Sequence, residues 1–167
     1  MPQLIPVTTE EQLHTLADLA FGIWHECFPG IITEAQIDYM IDRFQSYEAM
    51  CRQIESEGYH YFFICDGDEI AGYTGYRIEP EERRMFLSKL YLRADQRGKG
   101  LSSSVIDSLQ DICRREGLEC IRLTVNIHNH QAIKVYRHKG FVTVFDQKAD
   151  IGSGFFMDDH VMELTVS

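Results

Sequence analysis

Residues 90 to 102 constrain this chain more than any other stretch. Leu90-Tyr91-Leu92 closes an apolar, aromatic run of strand character, and Gly98-Lys99-Gly100 follows shortly after. Leu101, Val105, Leu109 and Ile112 then fall on one face at helical spacing. A strand that passes through glycine into a helix leaves the first N–H groups of that helix without intrahelical partners. Those amides, the positive end of the helix dipole and the side chains of Arg97 and Lys99 suit an anion such as phosphate. A helix entrance that needs glycine for its conformation alone explains the glycine pair equally well. Two familiar phosphate loops are excluded. Gly100 replaces the Ser or Thr that follows Gly-Lys in a Walker loop, and no third glycine completes a dinucleotide fingerprint.

Upstream of this junction the hydrophobic period changes once. Leu4 to Val7 predicts a short strand. Thr9, followed by Glu10, Glu11 and Gln12, marks a helix N-terminus, and Leu13, Leu16, Ala17, Ala20 and Trp24 continue the helix toward Pro29-Gly30. Thr33 opens a second helix with Ile37, Met40, Ile41 and Phe44 on one face, and Ser46 caps a further stretch to Ile54. From Tyr59 the pattern is that of strands. Tyr59 to Cys65, a turn at Asp66-Gly67-Asp68 and a return strand from Ile70 to Ile78 predict a hairpin. Arg84 to Leu92 predicts a third strand, with Met85, Leu87 and Lys89 on one face and Phe86, Ser88 and Leu90 on the other. Gly117 closes the helix that follows. Then come a strand from Glu119 to Asn126, a short helix from Asn129 to Lys139 and a strand from Phe141 to Gln147. A glycine-rich loop from Asp150 to Gly154 and a last strand from Asp159 to Val166 complete the chain. This order predicts an α/β (α+β) fold, a mixed sheet with helices on both faces, in one domain over residues 1–167.

Composition narrows the partners. Of 167 residues, 44% are hydrophobic and 25% charged, which fits a globular chain and excludes disorder or a disulfide miniprotein. No apolar run reaches the roughly 18 residues of a spanning helix. Met1-Pro2-Gln3-Leu4 begins no signal peptide, so a cytoplasmic location is expected. Five cysteines without a C-x-x-C pair, and an isolated His128-x-His130, predict free thiols and no metal. A formal charge of -10 makes nucleic acid and membrane poor partners. The charge is uneven: residues 1 to 60 hold ten carboxylates against Arg43 and Arg52, a net of -8. Residues 81 to 115 hold eight basic and five acidic side chains, a net of +3. The acidic third is either a set of solvated helix faces or a surface that attracts cations.

Arg97-Gly98-Lys99-Gly100-Leu101-Ser102 resembles the R/Q-x-x-G-x-G/A signature of the GNAT family of N-acetyltransferases, with Ser102 standing where the pattern has Gly or Ala. Asn126, Asn129, Ala132, Tyr136 and Gly140-Phe141 resemble the family's second block, N-x-x-A-x-x-x-Y followed by G-F. The likeness extends over residues 60 to 166, and the N-terminal helices agree in number and position only. It implies the GNAT fold, whose twisted sheet is mostly antiparallel, and acetyl-CoA as co-substrate. The backbone of Arg97, Gly98, Lys99, Gly100, Leu101 and Ser102 would cradle the pyrophosphate. The strand end at Leu90 and Leu92 would pair with the pantetheine arm and splay from the strand at 119 to 126, leaving a V-shaped slot. Asn129 would contact the pantetheine or fix its loop, and Tyr136 would protonate the departing thiolate. Pairing as a homodimer, common in the family through sheet edges, stays open here.

Acetyl transfer to an amine needs a neutral amine, a stabilised carbonyl oxygen and a quenched thiolate. Tyr136 would serve the last need, and a backbone N–H near Leu90 the second. An alkyl ammonium has a pKa of about 10.4, so the first need calls for a base or a large shift. Glu26, Glu79, Tyr39, Tyr73 and Tyr76 are all candidates, and the sequence does not choose among them. The first helices and the last loop form the acceptor side of this fold, where Phe155 and Phe156 would line the slot or cover the sheet edge. An acidic first third therefore points to a cationic small-molecule acceptor, a polyamine or another primary amine. A protein α-amine or lysine, an aminoglycoside, and a coenzyme A sensor without turnover are the alternatives.

Overall fold

Polar caps set the helix starts of the N-terminal third. Thr9 and Gln12 form a reciprocal capping box at the head of α1 (Glu10–Cys27). Thr33 caps α2 (Glu34–Met40) and Ser46 caps α3 (Tyr47–Ser56), each accepting from an amide that helix geometry leaves unpaired. Between them α2 runs into a π-helical turn, Ile41–Gln45. Such a turn widens the helix and re-aims its side chains. Here it turns the Phe44 carbonyl and the Gln45 side chain to the sheet, where they accept from Lys89 and Tyr73.

The computed structural model describes residues 2–167; Met1, the first residue of the expected domain, lies outside the described residues. Its strands are β1 (Gln3–Pro6), β2 (His60–Asp66), β3 (Glu69–Glu79), β4 (Arg84–Leu92), β5 (Cys120–Asn126), β6 (Val142–Gly152) and β7 (Phe155–Thr165). They form one sheet in the order β1-β2-β3-β4-β5-β7-β6, antiparallel throughout except at β4–β5. That parallel pair needs a crossover, and α4 (Leu101–Glu116) supplies it. α5 (His130–His138) follows β5 on the same face. Under α4 and α5 the core holds Ile106, Leu109, Ile121 and Met162; under α1 and α3 it holds Leu16, Ile23, Met50 and Tyr73. The mixed, mostly antiparallel sheet with helices on both faces agrees with expectation. Among the described residues no helix is long and apolar enough to cross a membrane.

Two local expectations fail, both through strand pairing. Along β3 and β4, Gly75 pairs with Lys89 but the next residue, Tyr76, pairs with Leu87, so Ser88 is the extra residue of a β-bulge. Strict alternation would keep Lys89 with Met85 and Leu87. The bulge reverses the phase: Lys89 meets Tyr61 and Gln53 on the α1–α3 side, while Leu90 packs against the core on the α4 side, to which Met85 and Leu87 belong. The expected loop at Asp150 to Gly154 is instead the tip of a long hairpin. Asp150 pairs with Phe156 and Gly152 with Phe155, leaving Ser153-Gly154 as a two-residue turn. Both take positive φ, 52° and 81°, which matches strand twist in a tight hairpin.

Candidate active site

β4 and β5 pair only at Arg84–Cys120, Met85–Ile121 and Phe86–Arg122. Beyond these residues β4 stays with β3 and β5 stays with β7, so the two strands part toward Leu92 and Asn126. A cleft of about 440 Å³ opens between them, within the range of small-molecule sites.

One end of the cleft is backbone. Gly98 and Gly100 take φ of 78° and 77°, where an L side chain is strained. A Cβ on either would meet no atom within 4 Å, so conformation and not packing demands glycine. Gly100 caps α4 without a side-chain bond, and the Ser104 amide is the first to reach back, to the Gly100 carbonyl. The amides of Leu101, Ser102 and Ser103 precede it, and these residues line the cleft with Arg97, Gly98 and Gly100. Lys99 departs from expectation. Its backbone lies in the loop, but its Nζ donates to Gln96 Oε1 at 3.0 Å and it does not line the cleft. Arg97 instead reaches α1, donating to the Cys27 sulfur and, at 3.5 Å, to the Leu92 carbonyl. Burial pushes the Cys27 thiol up, with Arg97 opposing.

The middle of the cleft carries Leu90, Leu92, Asn126, Asn129 and Tyr136. Both asparagines shape the turn into α5: Asn126 Oδ1 accepts from the His128 amide at 2.9 Å, and Asn129 Oδ1 from the Ala132 amide at 3.4 Å. Tyr136 is held edge-on against Phe141, ring centres 5.5 Å apart. Burial pushes its phenol up to about 12, so it keeps its proton through the neutral range.

The other end is made of side chains. Trp24 stacks on Phe28 at 4.2 Å, and both meet Tyr91 edge-on. Trp24 Nε1 donates to the Tyr73 hydroxyl, which donates to Gln45 Oε1 at 2.8 Å. Three bonds tie α2 to the β6–β7 hairpin: the Tyr39 hydroxyl donates to the Ile151 carbonyl at 2.6 Å, and Gln36 Nε2 to the Phe156 carbonyl at 2.8 Å and to the Met157 sulfur at 3.3 Å. Met40, Phe44, Ile151 and Met157 complete the apolar wall. Phe155 packs on Tyr39 and Phe156 is 47% exposed; neither lines the cleft. Lys89 is buried here. Its Nζ donates to the Phe44 carbonyl at 2.8 Å, to Gln53 Oε1 at 2.9 Å and to the Tyr61 hydroxyl, and burial brings its pKa down to about 7.

None of the five expected base candidates lines the cleft. Glu79 is paired with Arg84 at 2.5 Å and Arg77 at 3.3 Å, Tyr39 and Tyr73 hold the contacts above, Tyr76 packs in the core under α4, and Glu26 lies outside the lining. The ten carboxylates of the first sixty residues are absent from the lining as well. Among the described residues the cleft has one carboxylate, Asp159 of β7. Burial first, then the neighbouring Asp158, push it up to about 6, with His160 opposing. A signal for it exists in the sequence: Asp159 shares its strand phase with Met157 and Val161, a polar residue on the buried side.

Residues 18–141 match the acetyltransferase (GNAT) family. An L-methionine sulfoximine/L-methionine sulfone acetyltransferase of Pseudomonas paraeruginosa is 29% identical over 143 residues, 82% of this chain and 80% of that protein. An uncharacterised N-acetyltransferase of Bacillus subtilis is 29% identical over 101 residues, 58% of this chain; the match spans 64% of that relative's length. The crystal structure of the PaiA N-acetyltransferase of Thermoplasma acidophilum in complex with coenzyme A has the same fold, with a TM-score of 0.78, 20% identity and 99% of each chain covered.

Proposed function

Because the chain belongs to the GNAT acetyltransferase family, we propose that it moves an acetyl group from acetyl-CoA to the primary amine of a small acceptor, by direct attack in a ternary complex. The observation that carries this reading is the gap between β4 and β5, with an amide-rich helix start at one mouth and a protonated phenol on its wall. Acetyl-CoA lies with its pyrophosphate at the amides from Arg97 to Ser102, where backbone N–H groups and the α4 dipole meet negative charge. The pantetheine arm runs along Leu90 and Leu92, strand against strand, and passes Asn129. A backbone N–H near Leu90 receives the carbonyl oxygen as it gains charge. Tyr136 gives its proton to the leaving thiolate. Residues 1–167 act as one domain in the cytoplasm, with no metal.

The acceptor enters from the aromatic end. A polyamine is favoured by the net charge of -8 in the first third, but it would meet those carboxylates only outside the cleft. An acceptor with one ammonium group on an apolar body fits the lining better: one carboxylate among Trp24, Phe28, Phe44, Tyr91 and Met157. Free-thiol release from acetyl-CoA at about pH 8 tests both. The panel is spermidine, spermine, simple monoamines and diamines, amino acids, methionine sulfoximine, an aminoglycoside and a lysine peptide. Turnover of small amines is expected, with monoamines ahead of spermine. Preference for the peptide would discard the small acceptor, and silence across the panel with acetyl-CoA still bound would discard the enzyme reading for a cofactor-binding one.

A further inference from the structure

A carboxylate buried without a hydrogen-bond partner costs free energy, and folds avoid it unless something else supplies the partner. Asp159 is such a group. It is 6% exposed, its Oδ1 accepts no hydrogen bond among the described residues, and it lines the cleft. It stands opposite Asn126 of β5 and Gln147 of β6, neither of them a cation. We infer that Asp159 receives the acceptor's ammonium group and takes its proton, and so is the base that the reaction requires.

Given acetyl transfer in this cleft, on which the assignment rests, the step balances. The Asp159 carboxylate takes a proton from R–NH₃⁺, leaving R–NH₂ and a neutral carboxyl. The nitrogen lone pair forms the C–N bond at the thioester carbon, and the C–S bond breaks with its electron pair to sulfur. The thiolate takes the phenolic proton of Tyr136. The acylated nitrogen returns its surplus proton to the phenolate through water, and Asp159 releases its own to solvent. The products are one amide, one free thiol and one proton.

The titratable and charged groups around Asp159 are consistent with that role. Asp158 and His160 flank it on β7, Lys148 of β6 stands at the register of Asp158, and Tyr91 of β4 lines the same cleft as Asp159 and Tyr136. With its carboxyl at about 6, Asp159 is ionised at neutral pH and is a stronger base than a solvated aspartate.

Asp159→Asn and Asp159→Glu test the assignment. In the wild type, kcat/KM for an accepted amine should rise with pH through a midpoint at about 6. Asp159→Asn should lower it by about 10²–10⁴-fold at neutral pH and lose that midpoint, with acetyl-CoA affinity unchanged, and Asp159→Glu should restore part of the rate. Retained rate, or a retained midpoint in the Asn variant, overturns the assignment. Melting temperature is an independent readout. A carboxyl raised in the fold costs stability that is absent below about pH 4 and full above about pH 6. Asp159→Asn should therefore melt higher than the wild type at about pH 8 and level with it at about pH 4. A lower melting temperature at the higher pH would make Asp159 structural and overturn its role. Should the wild type bind acetyl-CoA but acetylate no amine, the acetyl-transfer reading fails alone. Carbon-13 NMR of the Asp159 carboxyl in the coenzyme A complex then decides. A midpoint that falls when butylamine or spermidine is added keeps the ammonium site, because a cation favours the ionised form. No movement with either amine overturns it.

Discussion

The two ends of the cleft are made of different material. At the glycine end the groups that matter are main-chain amides, released by two left-handed glycines within a few consecutive residues. At the aromatic end they are side chains drawn from α1, the π-helical turn, β4 and β7: Trp24, Phe44, Tyr91 and Asp159. A main-chain site survives any substitution that leaves its dihedrals in place. A side-chain site changes with each residue that forms it, and it stands only while distant elements stay docked. The docking here is specific: Tyr39 to Ile151, Gln36 to Phe156 and Lys89 to Phe44 hold the helices, the hairpin and β4 in one arrangement. One frame can thus keep its main-chain end while its side-chain end varies.

Substitutions at each end sharpen or break that contrast. The largest effect is expected between the ends: Tyr136→Phe should slow turnover by about 10²–10⁴-fold and spare acetyl-CoA affinity, as measured by single-turnover kinetics and calorimetry. An unchanged chemical step would make Tyr136 a packing residue. Next, Gly100→Glu should weaken acetyl-CoA on the order of 100-fold, since left-handed strain of about 1–3 kcal/mol joins a negative charge in an anion cradle. Normal cofactor affinity in a folded Gly100→Glu protein would remove the glycine end from the site. Lys89→Met should leave acetyl-CoA binding alone and cost about 2 kcal/mol of stability, because the Phe44 carbonyl and Gln53 lose their donor. Lys89 is lowered in the fold, so its buried charge costs most below about 7 and is relieved toward its unfolded value of 10.5. The loss on Lys89→Met should therefore be larger at about pH 9 than at about pH 6 in chemical denaturation, and the reverse order would contradict a buried charge. The smallest effect belongs to Tyr39→Phe. Losing one bond to the hairpin is worth about 1 kcal/mol, or roughly fivefold in acceptor KM, with acetyl-CoA untouched.

Most of the residues expected to hold the cofactor come together. Leu90, Leu92, Arg97, Gly98, Gly100, Leu101, Ser102, Asn129 and Tyr136 all lie on the cleft, and only the Lys99 side chain turns away. Charge near a glycine loop says nothing of rotamer, and the Lys99 side chain donates to Gln96 Oε1. Charge summed over sixty residues does not say which carboxylates face inward. All ten carboxylates of residues 1 to 60 lie outside the lining, while among the described residues the one that lines the cleft sits a hundred residues further on.

The sequence by itself determined what depends on neighbours along the chain. The Thr9, Thr33 and Ser46 caps, the turn at Asp66 to Asp68, and the strand, glycine pair and helix from Leu90 to Glu116 follow from local dihedral preference and side-chain period. Tertiary structure alone decided the rest. A bulge at Ser88 carries Lys89 across the sheet, a two-residue turn at Ser153-Gly154 extends β7 back to Phe155, and the register of β7 on β5 sets Asp159 opposite Asn126. Strand register is set by pairing between segments far apart in sequence, and a shift of one residue turns every side chain to the opposite face.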